Sequence, residues 1–114
     1  MADQPPSDGS AVLDRLFAVI ESRRHADPVS SHTAKLFAKG TRKISQKVGE
    51  EAVELVIEAV RGKRERIIEE SADLMYHVMV LWADAHVRPQ DIWEELKRRE
   101  GMSGIAEKAA REED

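Results

Sequence analysis

The side chains with the clearest chemical potential are carboxylates at helical spacing in two neighbouring parts of the chain. The first group is Glu50, Glu51 and Glu54, and the second group is Glu70 and Asp73. Within each group acids lie three or four residues apart, so that they share one face of a helix. Like charges at this spacing repel each other by roughly 0.2–0.5 kcal/mol per pair when exposed. A bound cation would turn that repulsion into attraction, and the acids are therefore candidate metal ligands.

Oxygen is the main ligand type that the chain offers to such a metal. The sequence contains no cysteine, and carboxylate oxygens are the ligands that hard divalent cations such as Mg²⁺ and Mn²⁺ prefer. Mg²⁺ keeps several water molecules and shares its coordination shell with substrate phosphates. Four or five acids therefore indicate one or two phosphate-bridging Mg²⁺ ions, which Mn²⁺ can replace, and they point to phosphoryl chemistry.

The first acidic group has a plain alternative explanation. On a helix, these acids share a sector with Lys43, Lys47 and Glu58, while most of the remaining surface is apolar. Such a sector is typical of an ordinary solvated helix face. Spacing alone therefore leaves both interpretations of this group open.

The second acidic group is more informative because of its surroundings. The segment 74–83 is apolar in nearly every direction, so this helix must be largely buried. Glu70 and Asp73 share a narrow strip of the helix with His77, and a carboxylate beside a buried surface needs a partner. Either a metal ion or a salt bridge from Arg66 would meet that need. His77 is explained more simply as a core residue than as a partner of Asp73.

A basic stretch upstream of the acids supplies groups that can bind phosphate. Its candidate substrate contacts are Lys35, Arg42, Lys43, Lys47, Ser31 and Thr33. Lys47 shares a helix face with the first acidic group, where it can neutralise the empty site or contact a phosphate. Lys39 is better explained as one of a solvated pair with Lys35. We therefore expect a small phosphorylated substrate.

Five helices and no strand are predicted to position these residues, which makes the fold class all-α. The predicted helices cover about residues 11–27, 31–37, 42–61, 63–86 and 89–100. Their ends coincide with residues that cap or interrupt helices, namely Ser10, Ser30 or Ser31, Gly40, Thr41, Gly62 and Pro89. Beyond them, Gly101 and Gly104 are expected to break the chain.

Length and composition limit the class of protein. The 114 residues fit one domain, predicted over 11–110, with 1–10 as a disordered leader and 111–114 as a charged tail. A net charge of -4 and an aromatic content of 4% argue against broad nucleic-acid binding. Residues 1–10 lack the basic and apolar blocks that are typical of a signal peptide, and no apolar run approaches the ~20 residues that span a membrane. We therefore expect a cytoplasmic protein, and a helical domain this small often pairs with a second copy.

The order of the motifs resembles a known superfamily. The pattern Glu-Glu-x-x-Glu followed by Glu-x-x-Asp is similar to the signature of the MazG-type all-α nucleoside triphosphate pyrophosphatases. The longer strings SSHTAKLFAKGTRKISQKVGEEAVELVIEAV and EESADLMYHVMVLW resemble more closely the phosphoribosyl-ATP pyrophosphatases of histidine biosynthesis, over about residues 12–110. The resemblance implies a MazG-like helical bundle completed by homodimerisation. It also implies Mg²⁺-dependent hydrolysis of phosphoribosyl-ATP to phosphoribosyl-AMP and pyrophosphate, the second step of that pathway.

Roles for the acids follow from the same resemblance. It implies that the metal ligands are Glu51, Glu54, Glu70 and Asp73. Glu50 becomes either a further ligand or the residue that orients the attacking water. Glu50 and Glu54 are thus the predicted catalytic residues, and all five acids are predicted to bind the metal.

The resemblance also bears on the basic stretch and on the alternatives. It implies that Lys43 and Lys47 contact phosphate. This sequence departs from the family pattern at His32, where the pattern has a tyrosine. Many relatives carry a cyclohydrolase domain for the next step; since 114 residues leave no room for it, that enzyme is expected on a separate chain. Two other functions stay open: a housekeeping MazG-type pyrophosphatase of (deoxy)nucleoside triphosphates, and a non-enzymatic helical dimerisation module.

Overall fold

Helices account for all the regular secondary structure in the part of the chain that the computed structural model describes, residues 9–112. In chain order they are α1 (Ser10–Ser22), α2 (His32–Lys39), α3 (Thr41–Arg61), α4 (Arg64–Asp84), α5 (Pro89–Arg99) and α6 (Gly104–Glu112). The all-α prediction is thus confirmed. None of these helices is long and apolar enough to cross a membrane. Residues 1–8 of the predicted leader and 113–114 of the predicted tail lie outside the described range.

The α3–α4 hairpin is the largest packed unit of the fold. Its two helices contain 21 residues each and pack side by side. Gly62 ends α3 in left-handed backbone, with φ 72° and ψ 23°. Its N–H donates to the carbonyl of Glu58 at 3.0 Å and to that of Ala59 at 3.1 Å, which satisfies the end of the helix. Because α4 begins only two residues later, the acids of α3 and those of α4 lie on adjacent helices.

The hydrophobic core lies where α1, α2 and α3 meet the second half of α4. Its enclosed side chains are Ile20, Leu36, Ile44, Met79, Val80 and Ala83. Burial of one large aliphatic side chain stabilises a fold by about 1.5–3 kcal/mol relative to exposure. The part of α4 that enters this core comes after Glu70 and Asp73. The core therefore fixes the acidic strip of α4 from one end without covering it.

Most predicted helix ends occur within one or two residues of their expected positions, but α1 ends at Ser22 rather than near residue 27. Ser31 caps α2, its Oγ accepting a backbone N–H at 3.1 Å, and Pro89 opens α5. Two predicted caps are wrong, since Ser10 and Thr41 are themselves the first helical residues and follow glycines. Thr41 instead donates from Oγ1 to Oδ2 of Asp84 at 2.6 Å. This bond ties the start of α3 to the end of α4.

A sixth helix follows where the sequence predicts a break and a charged tail. Gly104 begins α6, and Arg111 of the predicted tail belongs to it. Buried Glu107 accepts hydrogen bonds from Arg98 at 2.7 Å and from Arg111 at 2.6 Å. Burial alone would raise the pKa of Glu107, but these bonds outweigh burial and lower that pKa. Ile105 of the same helix is 86% exposed. Ion pairs rather than an apolar stripe therefore hold α6 against α5. The pattern of apolar residues in the sequence did not indicate this helix.

Replacing Gly62 by alanine tests how far the hairpin depends on left-handed backbone. A Cβ at this position meets no atom within 4 Å, so the cost is conformational, about 1–2 kcal/mol. The urea midpoint of Gly62→Ala should fall accordingly at a fixed protein concentration. Gly104→Ala is the matched control, since its Cβ is equally free and its φ is not positive. Equal midpoints for the two variants would contradict this account of the turn.

Candidate active site

Three carboxylates from α3 and α4 converge beside the hairpin. Oxygens of Glu51, Glu70 and Asp73 lie within 4.8 Å of one another. Glu51 is half-buried, Glu70 is buried and Asp73 is exposed, so the cluster opens to solvent on one side. Within residues 9–112, it is the only group of three or more acidic, histidine or cysteine side chains close enough to share an ion. Three of the five predicted metal ligands are thus brought together.

Glu70 carries the strongest sign that a positive charge belongs in this cluster. It is 9% exposed, and its Oε2 is buried without a hydrogen-bond partner. Burial raises the pKa of Glu70 above its ordinary value. The charges of Glu54, Asp73 and Glu51 raise that pKa further. An ionised carboxylate in such a place is costly, and a divalent cation with oxygen ligands such as Mg²⁺ would remove the cost. The residues present therefore fit a divalent cation.

The alternative partner that the sequence offered for Glu70, Arg66, is engaged elsewhere. Nε of Arg66 lies 3.4 Å from Oε2 of Glu58, and Nη1 lies 3.4 Å from Oε1 of Glu69. Glu58 shares the acidic sector of α3 that a solvated face would explain, yet it is buried and also pairs with Arg61 at 3.4 Å. Arg66 lowers the pKa of Glu70 only by its charge. It does not satisfy the buried oxygen.

Glu50 and Glu54, the two predicted catalytic residues, flank the cluster on the α3 side. Oε2 of Glu50 accepts a hydrogen bond from Nε2 of Gln46 at 2.8 Å. This bond, more than the charge of Lys47, lowers the pKa of Glu50. Among the neighbouring charges, that of Glu54 raises the pKa of Glu70 most. Glu50 and Glu54 line an open groove, whose other walls are Gln46, Gly49, Val53 and Ile57.

A basic pocket lies between α2 and the first half of α3. Its walls are His32, Lys35, Leu36, Lys39, Lys43 and Lys47. Nζ of Lys47 lies 3.5 Å from Oε1 of Glu50 and 3.9 Å from Oε1 of Glu51. The other three lysines form no ion pair with any residue in the described range 9–112. Lys47 therefore joins the basic pocket to the acidic cluster.

The predicted substrate contacts divide between this pocket and the surrounding fold. Those that line it are Lys35, Lys43 and Lys47. Arg42 is exposed and is not part of the wall. Ser31 is the cap of α2, and Oγ1 of Thr33 forms a hydrogen bond with the hydroxyl of Tyr76. Ser31 and Thr33 thus have partners within the fold, which fix the first turn of α2 beside the pocket.

Two polar residues of the pocket wall are not predicted as ligands by the sequence. The lysine spacing predicts that Lys39 is solvated, and His32 stands where the family pattern has a tyrosine. Both residues nevertheless line the pocket. Burial, followed by the charges of His77 and nearby lysines, lowers the pKa of His32, so its ring is neutral at pH 7. The missed signal is a pair of lysines at i,i+4 on each side of Gly40. Because the chain turns at that glycine, the two pairs come together.

His77 lies between the acidic cluster and the basic pocket. It is buried, as its favoured interpretation as a core residue expects. Its Nδ1 donates to the backbone carbonyl of Asp73 at 2.8 Å, and its Nε2 is buried without a partner. The ring meets the rings of His32 and Tyr76 edge-on, at centroid distances of 6.3 and 5.0 Å. His77 therefore supports the turn of α4 that carries Asp73.

Comparison with known proteins finds close relatives over most of the chain. A family model described as phosphoribosyl-ATP pyrophosphohydrolase matches residues 13–100. A phosphoribosyl-ATP pyrophosphatase of Azospirillum brasilense is 65% identical over 102 residues, which cover 90% of this chain and 92% of that protein. The similarly named protein of Gluconobacter oxydans is 62% identical, over 88% of this chain and 75% of its own length. That of Rhodospirillum rubrum is 53% identical, over 97% and 98%. The matched segment includes both acidic groups and the basic pocket.

Proposed function

The chain belongs to the phosphoribosyl-ATP pyrophosphohydrolase family, and on that premise we propose that it hydrolyses phosphoribosyl-ATP to phosphoribosyl-AMP and pyrophosphate, as the second step of histidine biosynthesis in the cytoplasm. The observation that carries the proposal is the acidic cluster, which includes the unpartnered Oε2 of Glu70. A basic pocket adjoins the cluster through Lys47. Together they offer one place for a cation and one for phosphate, as a pyrophosphohydrolase requires.

We assign the metal site to Glu51, Glu70 and Asp73, with Glu54 beside them. Mg²⁺, when bound, would supply the positive charge that joins these carboxylates to the triphosphate. The donor set consists of carboxylate oxygens, and one of them is a buried oxygen without a partner. Mn²⁺ accepts the same ligands and should replace Mg²⁺.

The remaining residues would orient water and neutralise the leaving group. Water is added across the anhydride between the α- and β-phosphates, so that one P–O–P link breaks and pyrophosphate departs. The hydrogen bond from Gln46 lowers the pKa of Glu50, which therefore stays ionised at neutral pH and can accept a hydrogen bond from the attacking water. Lys47, beside the acids, can neutralise the departing pyrophosphate. Such positioning and electrostatic stabilisation account for most catalysis of phosphoryl transfer.

We further infer that the working unit is a homodimer, because one face of the α3–α4 hairpin is apolar and exposed. Its side chains are between 43% and 84% exposed, and they are Val53, Val56, Ile57 and Val60 of α3 with Ile68 and Met75 of α4. Exposed apolar side chains in such number mark an interaction surface. Apolar side chains can pack against those of a second copy without mismatched charges. Val53 and Ile57 also line the groove of Glu50 and Glu54, so a second copy would cover the groove beside the catalytic acids.

Product analysis tests the proposed reaction. With phosphoribosyl-ATP and Mg²⁺, anion-exchange chromatography should show phosphoribosyl-AMP and pyrophosphate in equal amounts. Chelation with EDTA should stop the reaction, and Mg²⁺ or Mn²⁺ should restore it. Turnover of dUTP or dCTP without preference for phosphoribosyl-ATP would instead indicate a housekeeping pyrophosphatase.

Thermal unfolding of the same protein sample, with and without Mg²⁺, distinguishes an enzyme from a dimerisation module. A ligand that binds the folded state raises the midpoint of thermal unfolding by mass action. Mg²⁺ should therefore raise the midpoint if the acids form a metal site. Absence of both turnover and a Mg²⁺-dependent shift would favour a non-enzymatic module whose acids only confer solubility.

A further inference from the structure

We propose that the basic pocket binds the phosphate of the phosphoribosyl group, and that it thereby selects phosphoribosyl-ATP over ordinary nucleoside triphosphates. The inference rests on the proposed function. Phosphoribosyl-ATP carries two kinds of phosphate, a triphosphate and a phosphomonoester on the added ribosyl group, with the adenine base between them. Compared with ATP, this substrate has one additional phosphate group, the monoester.

The first argument is the unbalanced charge of the pocket. Lys35, Lys39 and Lys43 converge on it, and among residues 9–112 none of them forms an ion pair with an acid, although the charge of Lys43 lowers the pKa of Glu50 from a longer distance. The chain has 22 acidic and 18 basic residues, so acids were not lacking. Like charges gathered without a counter-ion repel one another, and a bound anion removes that repulsion. The pocket therefore favours an anionic group such as a phosphate.

The second argument is the separation of the pocket from the acidic cluster. Lys43 precedes Glu51 by eight residues on the same helix, which corresponds to about 12 Å along its axis. Lys47 lies midway and already pairs with Glu50 and Glu51. A triphosphate bound at the acids is met by Lys47. A phosphate bound by Lys35, Lys39 and Lys43 lies further from the acids than this triphosphate. A nucleoside is long enough to span the distance between the two phosphate sites, whereas a phosphoanhydride chain is not.

The third argument is the shape and chemistry of the pocket walls. Its volume is about 180 Å³, which is room for about six waters at roughly 30 Å³ each and so for a phosphate with part of its sugar. Leu36 is buried and provides an apolar wall. His32 is neutral because burial lowers its pKa. It can therefore exchange hydrogen bonds with ribosyl hydroxyls while the lysines supply the charge.

The test uses the double variant Lys39→Ala with Lys43→Ala in the full chain, and Lys97→Ala as the matched control. Lys97 is an exposed lysine of α5 outside the pocket. Each charged hydrogen bond to a phosphate contributes about tenfold or more to affinity. The double variant should bind phosphoribosyl-AMP and ribose 5-phosphate about a hundredfold more weakly by titration calorimetry. Its affinity for ATP, which has no phosphomonoester, should be unchanged, and its KM for phosphoribosyl-ATP should rise while kcat is largely kept.

Two results would overturn the inference. One is an equal loss of affinity for ATP and for phosphoribosyl-ATP, which would assign the pocket to the triphosphate. The other is unchanged binding of ribose 5-phosphate. The double variant Lys39→Gln with Lys43→Gln keeps longer side chains and serves if the alanine variant unfolds. Calorimetry with ribose 5-phosphate decides the matter even if the wild-type protein fails to hydrolyse phosphoribosyl-ATP, so failure of the inference and failure of the proposed function are distinguished.

Discussion

Replacing Glu70 by glutamine should abolish phosphoribosyl-ATP hydrolysis and, at the same time, stabilise the metal-free protein. The substitution keeps the shape of the side chain and removes a buried negative charge that lies beside Glu51 and Asp73. Without metal, repulsion and desolvation therefore decrease. With Mg²⁺, a ligand is lost, and because a bound cation contributes several kcal/mol of charge stabilisation, kcat should fall about a thousandfold.

Steady-state kinetics and thermal unfolding with and without Mg²⁺ measure both effects. Wild type should show a Mg²⁺-dependent rise in midpoint, and Glu70→Gln should start higher and show no rise. Glu69→Gln is the matched control, because this neighbouring acid is exposed and pairs with Arg66. Retained turnover in Glu70→Gln would refute the metal assignment. Glu54→Ala and Asp73→Ala should likewise lose turnover and keep the helical circular dichroism spectrum.

Replacing Val56 by aspartate should convert a dimer into a monomer. Val56 is 60% exposed in the single chain, so its replacement costs the monomer fold little, within about 0.5 kcal/mol. In a dimer, the same change would place a carboxylate inside an apolar interface, where it has no partner. Activity should fall together with the dimer, since the groove beside Glu50 and Glu54 would lose its cover.

Size-exclusion chromatography with light scattering gives the mass of the assembly directly. Ile105→Asp is the control, because Ile105 is more exposed than Val56 but lies on α6, away from the hairpin. It should behave as wild type. A wild-type monomer, or a Val56→Asp variant that remains a dimer with full activity, would contradict the proposed interface.

Local features of the fold were predictable because they depend on residues close together in the sequence. Gly62 ends α3 and Ser31 caps α2 as expected, since a left-handed turn and a capping bond each involve only a few neighbouring residues. The acids on each helix were predictable for the same reason. Spacing determines which side chains share a face, and the apolar character of α4 indicates that its acids border a buried surface.

Relations between helices were much harder to predict. The buried position of Glu58 depends on Arg66 of the next helix, which turns toward Glu58 and Glu69 rather than toward Glu70. The place of Lys39 in the basic pocket depends on the chain direction at Gly40. Both outcomes follow from how one helix is rotated against another, and spacing within one helix contains no information on that rotation. The buried charge of Glu107 escaped prediction because hydrophobic patterns do not register ion pairs.

The attachment of α6 through Glu107 depends on pH. An acid whose pKa is lowered on folding stabilises the folded arrangement above its ordinary pKa, and that contribution is lost as the pH falls through the lowered value. At neutral pH, Arg98 of α5 therefore holds α6 through Glu107, while Arg111 pairs with Glu107 within α6 itself. Acid protonates Glu107 and weakens this attachment, whereas the enclosed side chains of the core that α1 to α4 share are apolar. The last helix is thus joined to the domain by a contact that acid can undo.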